Sequence, residues 1–329
     1  MAVTIKDVAK LAGVSTATVS YVINSTNHVS EETRQRVTRA VEKLEYRPSA
    51  LARSLRVQRT RTIGLIIPRL DNQFFTEAAH GIEDVLRNNH YSLVISESED
   101  SPLTEKKLIQ VFNSLLVDGL VMAPCRHRQS ELRELLRGNY PTVFFDRRPT
   151  RFESDAVVLD NYSATRKAIT YLIERGHSRI GMVLGPNWFS TTRDRMRAYK
   201  RALRDAGIEF DSALVRNGDY GVEAGSELSG DLIKRAGVTA LFPASANMTL
   251  GAFIKIREMG LSVPRDVAII GCDDNAWASA TDPAITMLYQ PAADMGRKAA
   301  ELLLKRIESP ADGYETVYLP PEMRIRSSV

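Results

Sequence analysis

A chain of 329 residues, 43% hydrophobic and 26% charged, has the composition of a globular protein with room for two or three domains. No apolar run approaches the ~20 residues of a membrane span. Lys6, Asp7 and Lys10 interrupt the N-terminus where a secretory signal would carry its apolar core. Only Cys125 and Cys272 are present, in separate apolar segments and without metal-ligand spacing, so they read as buried free thiols of a reducing cytoplasm. The net charge of +4 is unevenly spread: the first 60 residues hold ten Lys/Arg against five Asp/Glu, and the rest is nearly neutral. A basic head on a neutral body is the footprint of a module that replaces counterions along nucleic-acid phosphates.

The run Thr4 to Asn24 reads as two short amphipathic helices around Gly13. Ile5, Val8, Ala9 and Ala12 recur at helical spacing, as do Val19, Val22 and Ile23. Gly13 supplies the permissive backbone of a sharp corner, and Ser15 can cap the second helix. Such a helix-turn-helix presents its second helix to the DNA major groove. A helical hairpin that only packs satisfies the same pattern. Ser30 then caps a third helix, with Glu31, Glu32 and Thr33 in its first turn. Its stripe Val37, Ala40, Val41 and Leu44 closes a three-helix core, leaving Arg34, Arg36 and Arg39 for solvent or phosphates. Pro48 stops this helix, and Ser49 can cap a short basic Ala/Leu-rich segment that is marginal alone in water. Apolar residues of such a segment can wedge between base pairs from the minor groove.

These residues resemble the lactose/galactose-repressor (LacI/GalR) family. The resemblance is carried by Thr-Ile-Lys-Asp-Val-Ala-Lys-Leu-Ala-Gly-Val-Ser from Thr4, Thr-Val-Ser from Thr18, Val-Ser-Glu-Glu-Thr-Arg from Val29, and Tyr-Arg-Pro-(x)3-Ala-Arg-Ser-Leu from Tyr46. It implies a homodimer whose paired heads read a palindromic double-stranded operator, with Thr16 and Ala17 facing bases and Leu55 as the wedge. The implied DNA-contacting set is Thr4, Ser15, Thr16, Ala17, Thr18, Ser20, Tyr21 and Asn24 in the head, and Ser49, Ala52, Arg53 and Leu55 in the hinge. Many relatives have Arg where this chain has Tyr21, and Asn where it has Ser49. Losing an Arg removes a bidentate guanine contact, so this head is expected to read an operator of its own.

From Thr62 the texture changes to short apolar strands alternating with amphipathic helices. Ile63–Ile67, Ser92–Ile95, Gly119–Met122 and Thr142–Phe145 read as buried parallel strands, with helices near Phe74–Asn88, Leu103–Leu116 and Ser130–Arg137. A second series has strands at Ile180–Leu184, Ala240–Phe242 and Val267–Ile270. Its helices lie near Ala164–Arg175, Arg193–Ala206, Ala224–Lys234 and Leu250–Met259. Two such series predict two doubly wound lobes, with ligands at the carboxyl ends of the strands. No Gly-x-Gly-x-x-Gly follows the first strand, and no Walker loop, His-Glu-x-x-His pair or nucleophile elbow is present. The five His are scattered, so neither an enzyme, a cofactor nor a metal site is expected.

The body resembles the periplasmic sugar-binding-protein fold that this family carries. The markers are Asp146-Arg147, Asp160-Asn161, Gly176-His177-(x)2-Ile180, Val263-Pro-Arg-Asp266, Gly271-Cys-Asp-Asp274 and Gln290-Pro291. The expected fold class is a small all-α helix-turn-helix head plus an α/β body of two doubly wound lobes. Domains are expected at 1–47 (head), 48–60 (hinge helix and linker) and 61–329 (effector binding and dimerisation). Within the body, one lobe takes about 61–160 and 290–319, the other about 161–289 and 320–329, with crossings near Asn161, Tyr289 and Leu319.

Sugar recognition needs carboxylates with Arg or Asn to bracket hydroxyls, and an aromatic face for the C–H side of the ring. The resemblance places Arg195 as the ligand-gripping fork, Asp273 and Asp146 as acids after two strands, and Tyr220 as the stacking aromatic. Phe74 or Phe75 closes the pocket. Ala244-Ser245-Ala246-Asn247 departs from the Asn-Asp pattern common in relatives, leaving Ser245 or Asn247 to compensate. The function so implied is a transcriptional repressor of carbohydrate-utilisation genes under a small sugar or sugar-acid effector, acting in the cytoplasm on the nucleoid. The alternative is a regulator of the same fold answering to a protein partner or corepressor.

Overall fold

The computed structural model describes residues 3–24, 27–46, 59–125, 129–137, 140–149, 152–310 and 313–329. The chain divides into two compact units, residues 1–60 and 61–329.

In the first unit, α1 (Ile5–Ala12), α2 (Thr16–Asn24) and α3 (Glu31–Lys43) enclose a small core. Val8, Ala9, Ala12, Val19, Val37 and Ala40 are its buried members. Gly13 takes φ 63° at the end of α1, the left-handed corner that its missing Cβ permits. Ser15 accepts the Thr18 amide at 3.1 Å, and Ser30 that of Thr33 at 3.4 Å. Ser15→Ala should remove about 1 kcal/mol of helix stability. The Thr18 and Val19 amides should then exchange about fivefold faster in hydrogen-exchange measurements.

The second unit is built on two sheets. Its elements run β1 (Thr62–Ile67), α4 (Gln73–Asn88), β2 (Ser92–Glu97), α5 (Pro102–Leu115), β3 (Gly119–Met122), α6 (Gln129–Leu135), β4 (Thr142–Phe145) and β5 (Asp155–Leu159). The chain then crosses to the second lobe. That lobe contains α7 (Asn161–Glu174), β6 (Ile180–Leu184), α8 (Ser190–Asp205), β7 (Val215–Asn217), α9 (Val222–Ala236), β8 (Ala240–Pro243), α10 (Ala246–Glu258), β9 (Ala268–Cys272), α11 (Ala276–Ala280) and β10 (Thr286–Tyr289). It returns with α12 (Ala292–Glu308) and β11 (Thr316–Leu319), and crosses a third time into β12 (Glu322–Arg324). The first sheet has the order β11-β5-β4-β3-β1-β2, and the second β12-β10-β9-β8-β6-β7. Every pairing is parallel except β10 with β12. This is the doubly wound α/β body expected from the alternating pattern.

Each lobe is closed by a pair of helices whose backbones touch. A Cβ on Gly81 of α4 would lie 2.0 Å from the Ala293 carbonyl oxygen, and one on Gly296 of α12 would lie 2.0 Å from that of Ala78. In the second lobe Gly225 of α9 and Gly251 of α10 repeat the arrangement, at 2.4 Å from Met248 O and 2.0 Å from Val222 O. Ion pairs to buried carboxylates tie the returning segments down. Arg306 on α12 forks onto Asp155 at 2.8 and 3.0 Å. Near the third crossing, Arg324 and Arg326 converge on Asp274 at 3.0 and 2.7 Å.

Candidate functional site

Two surfaces carry the candidate functional residues, one in each unit. In the head, Thr16, Ala17 and Tyr21 of α2 are exposed while Val19 is fully buried. One face of the second helix is therefore offered to solvent. Several hydroxyls there are already engaged. Ser15 and Thr18 share a hydrogen bond of 2.9 Å. The Thr4 amide and hydroxyl both donate to Asp7, at 2.8 and 2.7 Å. Ser20 is half-buried. The side chain of Asn24, and the hinge residues Ser49, Ala52, Arg53 and Leu55, lie outside the described residues.

In the body, a cleft of about 390 Å³ opens where the strands of both sheets end. Phe74, Phe75, Asp146, Arg195, Tyr220, Ser245, Asn247 and Asp273 all line it. They come from separate turns of both lobes, brought together because parallel strands deliver their following loops to one end. Asp146 follows β4 and Asp273 follows β9, each in the left-handed region at φ 64°. The two lobes thus contribute one acid each from equivalent corners.

Arg195, on the first turns of α8, is only 5% exposed and donates to the Ala244 carbonyl at 3.0 Å. Its charge acts on both acids. Burial pushes the Asp146 carboxyl up to about 6, with Arg147 and Arg195 opposing it and Asp273 adding to it. Burial likewise raises Asp273, against the pull of Arg195 and hydrogen bonds from Gln290 and the Ala246 amide.

A carboxyl whose pKa is raised on folding stabilises the fold fully below its unfolded value and loses that contribution as pH rises through the folded value. Between pH ~4 and ~6 this group should withdraw about 2 kcal/mol from the stability of the body. Asp146→Asn should flatten that slope. Urea titrations of both proteins at pH 4.5 and 7 check it, and equal slopes would refute it.

Tyr220 reaches the cleft from the turn before α9, at φ 69°. Its hydroxyl lies 3.1 Å from that of Thr192, and its ring stacks on Phe189 at 6.4 Å and 25°. Gly185 makes room for it, since a Cβ there would stand 1.9 Å from the tyrosine ring. Phe74 and Phe75 lie edge to face at 5.0 Å, and both belong to the core of the first lobe as well as to the cleft wall. Ser245 also caps α10: its oxygen accepts the Met248 amide at 3.1 Å while its proton goes to the Tyr220 carbonyl at 3.2 Å. Asp274, the neighbour of Asp273, turns away into its two arginines, 2% exposed.

Two cleft residues stood in the sequence only as markers. Arg147 is buried, pairs with Asp100, and sits 3.8 Å over the Phe189 ring from the other lobe. Gln290, at the second crossing, donates to Asp273. Their dipeptides Asp-Arg and Gln-Pro at strand ends were the available signal. Among the described residues no group of three or more His, Cys, Asp or Glu is arranged to hold a metal ion.

A helix-turn-helix head and a two-lobed body with a polar cleft define a ligand-responsive DNA-binding regulator. Residues 4–49 match the bacterial regulatory proteins of the lacI family, and residues 169–329 match the periplasmic binding protein-like domain. The HTH-type transcriptional repressor PurR of Aliivibrio fischeri is 37% identical over 333 residues, covering 99% of this chain and 98% of its own. The ribose operon repressor of Haemophilus influenzae is 34% identical over 327 residues, with 99% and 98% covered. The solved complex of the transcriptional regulator CelR with cellobiose superposes with a TM-score of 0.76 at 32% identity, covering 99% of this chain and all of that one. The chain belongs to the lacI family of bacterial regulatory proteins. It is a DNA-binding transcriptional regulator, and the relatives named are regulators rather than enzymes.

Proposed function

We propose that the protein is a repressor of carbohydrate-utilisation genes, working in the cytoplasm on the nucleoid as a homodimer whose two heads read a palindromic operator. Thr4, Ser15, Thr16, Ala17, Thr18, Ser20, Tyr21 and Asn24 meet the major groove or its phosphates. Ser49, Ala52, Arg53 and Leu55 serve the hinge, with Leu55 as the minor-groove wedge. A sugar is the effector. The observation that carries this reading is a cleft lined by buried Arg195 together with Asp146 and Asp273, one acid from each lobe, and faced by Tyr220. Forked donors flanked by acceptors bracket vicinal hydroxyls, and an aromatic wall receives the C–H face.

Because the acids come from different lobes, a bound sugar favours the conformation in which both reach it. The effector acts on DNA affinity only through that difference. The likeness to a ribose operon repressor and a cellobiose complex supports the ligand class. The test is selection of bound sequences from random duplexes by the full-length protein, followed by a panel of sugars added to the selected complex. A two-fold-symmetric consensus and a change in DNA affinity with at least one sugar are expected. Asymmetric sites, or a complex answering only to a protein fraction, would overturn the reading.

A further inference from the structure

Six carboxylates and three guanidiniums line the cleft, with no Lys or His among them. Two of the cations are already matched. Arg69 forks onto Asp71, with bonds of 2.9 and 2.5 Å, and Arg147 pairs with Asp100. The charge of Arg195 acts on both Asp146 and Asp273. Exposed at the rim, Asp219 and Glu223 form no ion pair with any described Lys or Arg. The cleft therefore carries a surplus of negative charge.

Helix N-termini ordinarily offset such a surplus by offering free amides to an anion. At two of the helix starts on the cleft, α4 and α10, the chain's own acceptors take amides that an anion would use. Asn72 takes the Phe74 amide at 3.0 Å on α4, and Ser245 takes that of Met248 on α10. Asp273 takes the Ala246 amide, and Asp219 takes that of Gly221 at 2.9 Å before α9. The buried polar atoms left without a partner in the cleft residues are of opposite kinds: Arg147 Nε is a donor and Gln290 Oε1 an acceptor. A hydroxyl, which donates and accepts, suits both. A carboxylate or phosphate only accepts.

From these observations we infer that the cleft selects an uncharged polyhydroxylated ligand and discriminates against the acid or phosphate ester of the same sugar. The inference rests on the sugar reading above and narrows it. Like charge placed against a ligand is a specificity device independent of the attractive contacts.

The test uses full-length protein and matched probes: ribose with ribose 5-phosphate, glucose with glucuronate, and cellobiose with cellobionate. Calorimetric titration and thermal unfolding are read at pH 7.5 in low salt. A neutral probe should bind at least about 100-fold more tightly than its charged partner. Asp219→Asn combined with Glu223→Gln should close that gap about tenfold, as should 0.5 M salt, since the repulsion is screened at the rim. An anionic probe binding as tightly as its neutral partner would overturn the inference while leaving the sugar reading intact. A gap that neither the double variant nor salt moves would also overturn it. Failure of every pair to bind would sink both.

Discussion

Arg195→Ala should lower the affinity of the cleft for its sugar at least about 100-fold and cost the body about 3 to 5 kcal/mol, the penalty for orphaning buried charge. The guanidinium is buried and anchored on the Ala244 carbonyl. It is the cation that Asp146 and Asp273 share. Without it, the two acids face each other across the cleft with burial opposing both, so they rise further and take up protons. Their raised folded pKa makes the stability loss small at pH 5 and full at pH 8. Arg195→Lys should recover most of the stability through its charge but little of the affinity, because an ammonium lacks the planar fork. Urea unfolding at the two pH values and calorimetric titration separate these effects. A loss of stability independent of pH would show that Arg195 acts by packing alone.

Gly296→Ala, like Gly81→Ala on the facing helix, should be among the most damaging single-methyl additions to the described glycines of the first lobe, at about 3 kcal/mol. The added carbon would fall 2.0 Å from the Ala78 carbonyl, and neither helix backbone can turn aside as a side chain can. α4 and α12 would have to separate, loosening the core around Ile82, Met295 and Ala299. Gly176→Ala is the contrast: its φ of 89° is strained for alanine, but open space surrounds the position. About 1 kcal/mol is expected there. Denaturant midpoints for the two variants check the ordering, and equal losses would mean the helices yield readily.

The difference between what the sequence displayed and what it hid follows from how far apart the interacting residues lie. Gly13, Ser15 and the stripe Val8, Ala9, Ala12 interact within one or two turns, so periodicity and capping revealed the head before any fold was known. The central strands β1, β3 and β6 were visible as uninterrupted apolar runs because both their faces are covered. β7 and β12 are three residues each, too short for a pattern, and hold their place only by pairing with β6 and β10. At the cleft, Arg195 and Asp273 were legible through the resemblance. The roles of Arg147 and Gln290 were not. Arg147 depends on a ring 42 positions away in the other lobe, and Gln290 on a carboxylate 17 positions back. Ser245 read as a ligand group because it stands where relatives carry a polar pair. Its hydroxyl bonds to Met248 and Tyr220 are invisible in the sequence and come from positions 3 and 25 residues away.

The return of α12 to the first lobe fixes an order of assembly. α4 is synthesised more than 200 residues before Gly296, the partner of its own Gly81 face, and β5 waits 160 residues for β11 to cover its edge. All of α7 to β10 lies between. On a translating ribosome the first lobe remains unfinished, its apolar helix face uncovered, while most of the second lobe emerges behind it. Domains generally fold as units and transiently exposed apolar surface invites aggregation, so the half of the body made first is the half completed late. Chains stopped short of Ala292 should collect with an unfinished first lobe, vulnerable to proteolysis at α4.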